Sequence, residues 1–157
     1  MTTTTSTPTK LNILVVVPTF YHDLTDVRYQ LALDLCDQVV RRQPTDDPAP
    51  TDNDSNDDNT MELASFRLLV IDGSPPEQHP RIVREMTQRA ATMDNDDNPM
   101  IIVERQTEPG RKGAALRQGL RRAYEILQQQ RQQQSSNTVD GFDLIAFQEP
   151  EKVDMMR

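Results

Sequence analysis

The chain has 157 residues and a formal net charge of −8, from 25 Asp+Glu against 17 Lys+Arg. That length can bury a core without staples, and the single cysteine, Cys36, excludes an internal disulfide and every multi-cysteine zinc pattern. The acidic excess is local: residues 43–60 hold six Asp and residues 93–99 three more, with no Lys or Arg in either, so the remainder carries about +1 and nucleic acid is not expected as a partner.

The Thr-rich residues 1–10 lack the apolar core of a signal peptide and are expected to be disordered. Residues 11–17, LNILVVV, are a β-branched apolar run ahead of Pro18, which predicts a strand buried on both faces. Over residues 24–42 the spacing turns helical, with Val27, Leu31, Leu35 and Val39 on one stripe. Asp23 is the expected N-cap, Asp26 suits the first turn, and Arg41 and Arg42 suit the last turn before Pro44. After the insert at 43–60, Phe66–Ile71 is a second buried strand ending in Asp72-Gly73-Ser74-Pro75-Pro76. A helix is predicted over 80–92 on Ile82, Val83, Met86 and Ala90, followed by the insert at 93–99. Met100–Val103 is a third strand, and Gly110 opens a long helix with Leu116, Leu120, Ala123 and Leu127 facing inward. That helix is expected to dissolve into a polar low-complexity stretch at 128–138 before a fourth strand over Phe142–Phe147.

Strands that alternate with helices predict an α/β fold: a Rossmann-like, doubly wound, mostly parallel sheet over residues 11–157. The three inserts fall between elements, where they interrupt no core. No apolar run approaches the ~20 residues of a membrane span, and a soluble, cytoplasmic setting is the expectation.

In such sheets ligands bind beyond the carboxyl ends of the strands. That rule selects Pro18–Asp23, Asp72–Ser74, the 104–113 loop and Glu149–Lys152. Asp72 could accept from a ribose hydroxyl or a base N–H, with Gly73 allowing close backbone approach, although Asp-Gly-Ser is also ordinary turn chemistry. Gly110-Arg111-Lys112-Gly113 at a helix start could favour a phosphate, while Gly113 and Gly119 could equally let the helix lie close to the sheet. Glu149 and Glu151 could hold a hard divalent cation, or form a solvated acidic loop. His22 beside Asp23 has no Ser or Cys nucleophile placed with it.

Taken in order, these pieces resemble the N-terminal half of a GT-A-type glycosyltransferase of family 2. Val17-Pro18-Thr19-Phe20-Tyr21-His22 stands where that family has V-P-x-Y/F-N-E, and Val70-Ile71-Asp72-Gly73-Ser74 where it has V-D-D-G-S. Lys112-Gly113-Ala114-Ala115-Leu116, with Gly119, is similar to G-K-G-A-A-L-x-x-G, and Asp143 to Glu151 falls into the register of the strand that ends in Asp-x-Asp. The resemblance implies a nucleotide-diphosphate sugar as donor, contacted by Pro18, Thr19, Phe20, Asp72, Gly73 and Ser74, with Asp72 at the base and Lys112 and Gly113 near the ribose and diphosphate. It also implies a divalent cation, Mn²⁺ or Mg²⁺, at Glu149 and Glu151. The family places its acceptor site, and usually its catalytic base, in a second half, so the domain is expected to be incomplete at its C-terminus and the acceptor is unspecified. The alternative is an inactive nucleotide-binding or protein-interaction module on the same fold.

Overall fold

The computed structural model describes residues 11–41, 65–91, 99–108, 112–133 and 142–149. Residues 1–10, the insert 43–60, most of the insert 93–99, Gly110, Arg111 and Glu151 lie outside them, so the expectations placed on those positions do too.

Four strands and three helices alternate: β1 (Ile13–Thr19), α1 (Val27–Arg41), β2 (Phe66–Asp72), α2 (His79–Thr87), β3 (Ile101–Arg105), α3 (Lys112–Gln133) and β4 (Leu144–Phe147). The strands form one sheet in the order β3-β2-β1-β4, and every pairing is parallel. The expected α/β architecture with a parallel sheet is therefore present.

Alternation along the strands sorts the core into two layers. Val15, Val17, Leu68, Val70 and Ile101 face α1 and α2, where they meet Tyr29, Leu33, Cys36, Val39, Ile82 and Met86. Leu14, Val16, Leu69 and Ile71 face the other way, onto Ala115, Ala123 and Ile126 of α3. The chain thus winds outward from β1 to β3 with helices on one face, then returns along the other face to set β4 beside β1. The strand order reverses between β1 and β4, which is where such sheets open a crevice.

Several boundaries differ from the sequence expectation. Pro18 does not end β1, which runs on to Thr19 opposite Asp72. Gln148 N–H donates to Val16 O and Gly73 N–H to Thr19 O, so even positions of β1 turn toward β4 and odd ones toward β2. The N–H that proline lacks would therefore point past the last β1–β4 pair, Val16 with Phe147, where no ladder bond is lost.

Helix α1 starts at Val27, and its cap is Asp26: Oδ1 accepts the Arg28 N–H at 2.9 Å. Asp23 instead closes its own turn onto the Thr25 N–H, which holds its carboxyl below the usual range. Val27 is 68% exposed. A row of residues four apart drifts by about 40° per step, so Val27 and Val39 cannot share a face, and Tyr29, Ala32 and Cys36 fill the buried stripe. Helix α2 is shorter than expected, ending at Thr87, though Ala90 beyond it is still buried. Helix α3 is longer, continuing through Gln133, because glutamine and arginine are good helix formers and no Gly or Pro interrupts them. Its inward face is also different. Leu120 is 44% exposed, whereas Ala115, Gly119 and Ala123 are buried, since the sheet approaches too closely for leucine there.

Burial of the Cys36 side chain behind α1 pushes its thiol from 9.0 up to about 12. We therefore expect no reaction with a thiol reagent such as 5,5′-dithiobis(2-nitrobenzoate) until the protein unfolds, checked by comparing labelling rates in buffer and in urea. The sign of the pH dependence follows. Above pH ~9 the unfolded chain sheds this proton while the folded chain keeps it, so stability is full below ~9 and falls toward ~12. The Tyr29 hydroxyl, raised by burial and by its hydrogen bond to Glu85, pulls in the same direction.

Candidate functional site

The parallel order carries the described parts of all four sequence-selected segments to one edge. Asp72, the last residue of β2, is 0% exposed. Its Oδ1 accepts the Ser74 N–H at 3.0 Å and the Thr19 hydroxyl at 3.3 Å, and its Oδ2 lies 2.7 Å from His79 Nδ1. A buried carboxylate needs such donors, and here both oxygens are engaged by the protein itself. Ser74 is also fully buried, and its Oγ accepts the Tyr21 N–H at 2.9 Å. These bonds join the loops after β1 and β2 into one unit, extended by Gly73 N–H on Thr19 O and by Gln78 Nε2 on His22 O at 2.6 Å.

Phe20 projects from this unit, 40% exposed, with the His22 ring edge-on at 4.7 Å. Gly73 lies between Phe20 and Gln106. A Cβ there would stand 2.5 Å from Gln106 Oε1 and 3.4 Å from Phe20 Cδ2, so the place a side chain would need is already taken by Gln106 and Phe20. The loop after β3 is held by Gln106 N–H on Asp72 O at 2.8 Å, and by Gln118 of α3, which accepts from Thr107 N–H and donates to Arg105 O.

On the β4 side, Lys112, the first residue of α3, forms an ion pair with Glu149. Two motifs 37 residues apart thereby meet beside the point where strand order reverses. Gly113 has only ordinary contact distance around an added Cβ, to Arg117, so packing does not require glycine there; at Gly119 packing does, against Val16. Glu149 is the only sequence-expected cation ligand among the described residues, and its carboxylate is already met by an ammonium group. Among those residues no group of three His, Cys, Asp or Glu could hold a metal ion, so they do not by themselves form the expected cation site.

His79 and Gln106 are the residues that sequence reasoning missed. His79 begins α2 seven positions after Asp72, and a His-Pro pair opening a helix behind an Asp-Gly-Ser turn was a visible signal. Among the described residues no helix is long and apolar enough to cross a membrane. Comparison of the chain with protein-family models, with curated proteins and with solved structures finds no match in any of the three.

Proposed function

We propose that this edge binds a nucleotide-diphosphate sugar, as the donor half of a GT-A-type glycosyltransferase. The observation that carries the reading is the convergence of the 18–22, 72–74, 106–108 and 112–113 segments with Glu149 at the carboxyl edge of one parallel sheet. Phe20 offers a ring on which a base can stack, and Lys112 a cation for a diphosphate. Thr19 and Ser74 keep the two loops in register, with Pro18 inside β1 ahead of them. The reaction class is glycosyl transfer to an acceptor bound elsewhere. The chain's own part is to hold and orient the donor.

Calorimetric titration with UDP and GDP, with and without Mn²⁺, tests it. We expect binding in the micromolar to millimolar range, weakened several-fold by Lys112→Ala through loss of one charge-assisted contact. A folded sample that binds neither nucleotide under either condition refutes the proposal. Dependence on Mn²⁺ that disappears in Glu151→Ala would assign the cation to the Glu149–Glu151 pair. A second reading, an inactive nucleotide-binding or interaction module, is favoured by the Lys112–Glu149 pair, which occupies a carboxylate the cation would need. Hydrolysis of a bound donor by the chain would reject it.

A further inference from the structure

Resting on that reading, we propose that His79 rather than Asp72 reads the nucleobase, and that it selects bases carrying an imino N–H, namely uracil or guanine. Asp72 has no surface and no spare oxygen: three protein donors meet its carboxylate. A base N–H cannot reach it without opening the contacts that bury it. The same carboxylate fixes what His79 presents. With Nδ1 2.7 Å from Asp72 Oδ2, the neutral ring carries its proton on Nδ1, and Nε2 is left as an acceptor. Nothing among the described residues bonds Nε2, and 20% of the side chain is exposed. Gln78, the neighbouring residue, ties the start of α2 to the loop that carries Phe20, so an aromatic surface and an oriented acceptor stand on the same edge.

An acceptor in that position discriminates by chemistry. Uracil N3 and guanine N1 carry a hydrogen and can donate to it. Cytosine N3 and adenine N1 carry a lone pair and would face it unpaired. A site built to receive a donor rejects an analogue that lacks one, because polar groups are then left unsatisfied.

The test compares UDP, GDP, CDP and ADP by calorimetry on the full chain, then repeats the series on His79→Asn. The Asn amide can still donate to Asp72 from the Nδ1 position but has no atom at Nε2. We expect at least one of UDP and GDP to bind about 10-fold tighter than CDP and ADP, and H79N to remove that preference while leaving the weak binders unchanged. Equal binding of all four by the wild-type chain overturns the proposal without touching donor binding as such. Uniform weakening of all four in H79N overturns it as well, since that is what a purely structural histidine would give. Binding of none would remove the donor-site reading and this one with it. A measurement that needs no variant is the ¹⁵N spectrum of the His79 ring, in which Nε2 should move on UDP or GDP addition and stay put with CDP.

Discussion

Replacing Asp72 with alanine lowers the unfolding free energy by about 3–5 kcal/mol. The carboxylate is 0% exposed and gathers the Ser74 N–H, the Thr19 hydroxyl and His79 Nδ1. Alanine leaves all three without that partner, the Ser74 N–H and the Thr19 hydroxyl in a buried place, and each unsatisfied buried donor costs on the order of 1–3 kcal/mol before relaxation. Asparagine is milder, because one oxygen remains to accept from Ser74 and Thr19, but its amide nitrogen meets a donor at His79. Urea titrations followed by circular dichroism measure the loss as a lower midpoint at constant slope. A stability within 1 kcal/mol of wild type in Asp72→Ala would mean that these bonds contribute no net stability. The companion loss is in the loops: the Thr19 hydroxyl and the Ser74 N–H lose the carboxylate that joins them, so the nucleotide affinity proposed above is expected to fall with it.

The second large effect is at Gly119, where helix propensity and packing disagree in sign. Alanine in a helix interior is favoured over glycine by about 1 kcal/mol. Here the added Cβ would fall well inside van der Waals contact distance of Val16 Cγ1 and 3.3 Å from Ile71 Cγ1, both fixed in central strands and neither the end of a flexible chain. Overpacking of this kind costs about 1–3 kcal/mol for a small excess, and more where the backbone must move. Gly119→Ala is therefore expected to destabilise by about 1–2 kcal/mol net, and Gly119→Val by about 3 kcal/mol or more. Gly113→Ala serves as the control. Its Cβ meets only the Arg117 guanidinium at 3.7 Å, so propensity decides and the variant should be neutral or slightly stabilised. Thermal melts of the three variants give the order directly, and a Gly119→Ala protein that melts above wild type contradicts the packing account.

The sheet was legible in the sequence because burial on both faces leaves a simple mark: Leu14–Val17 and Leu68–Ile71 are uninterrupted apolar runs, and only parallel strands covered on both sides need them. Their alternation with helical spacing carried the α/β class with it. The helix faces were less legible. In α3 the leucines looked like the buried stripe, yet Leu120 is exposed and the inward row is Ala115, Gly119 and Ala123. Hydrophobicity ranks leucine above glycine, but the space between helix and sheet is set by Val16 and Ile71, which no local window includes. The site followed the same division. Position at strand ends was readable from order alone, so the described parts of the four loops fall at the carboxyl edge of the sheet as expected. Which side chains within them meet was not, because the Asp72–His79 and Lys112–Glu149 pairs depend on how α2 and α3 are set against the sheet.

Strand order also sets how the chain must assemble. No strand of this sheet has a neighbour close in sequence: Ile13 pairs with Phe66 across 53 positions and with Leu144 across 131. Among the described residues there is no hairpin to form first, so these strands must close long loops before the two apolar layers repay the lost entropy. Such closure grows only slowly with length, by about 0.6 kcal/mol per doubling, so the acidic insert between α1 and β2 weighs little on equilibrium stability. What it does bear on is speed and timing. Val15 and Val16 are the residues on which both layers depend, and neither finds its partner until a distant segment arrives.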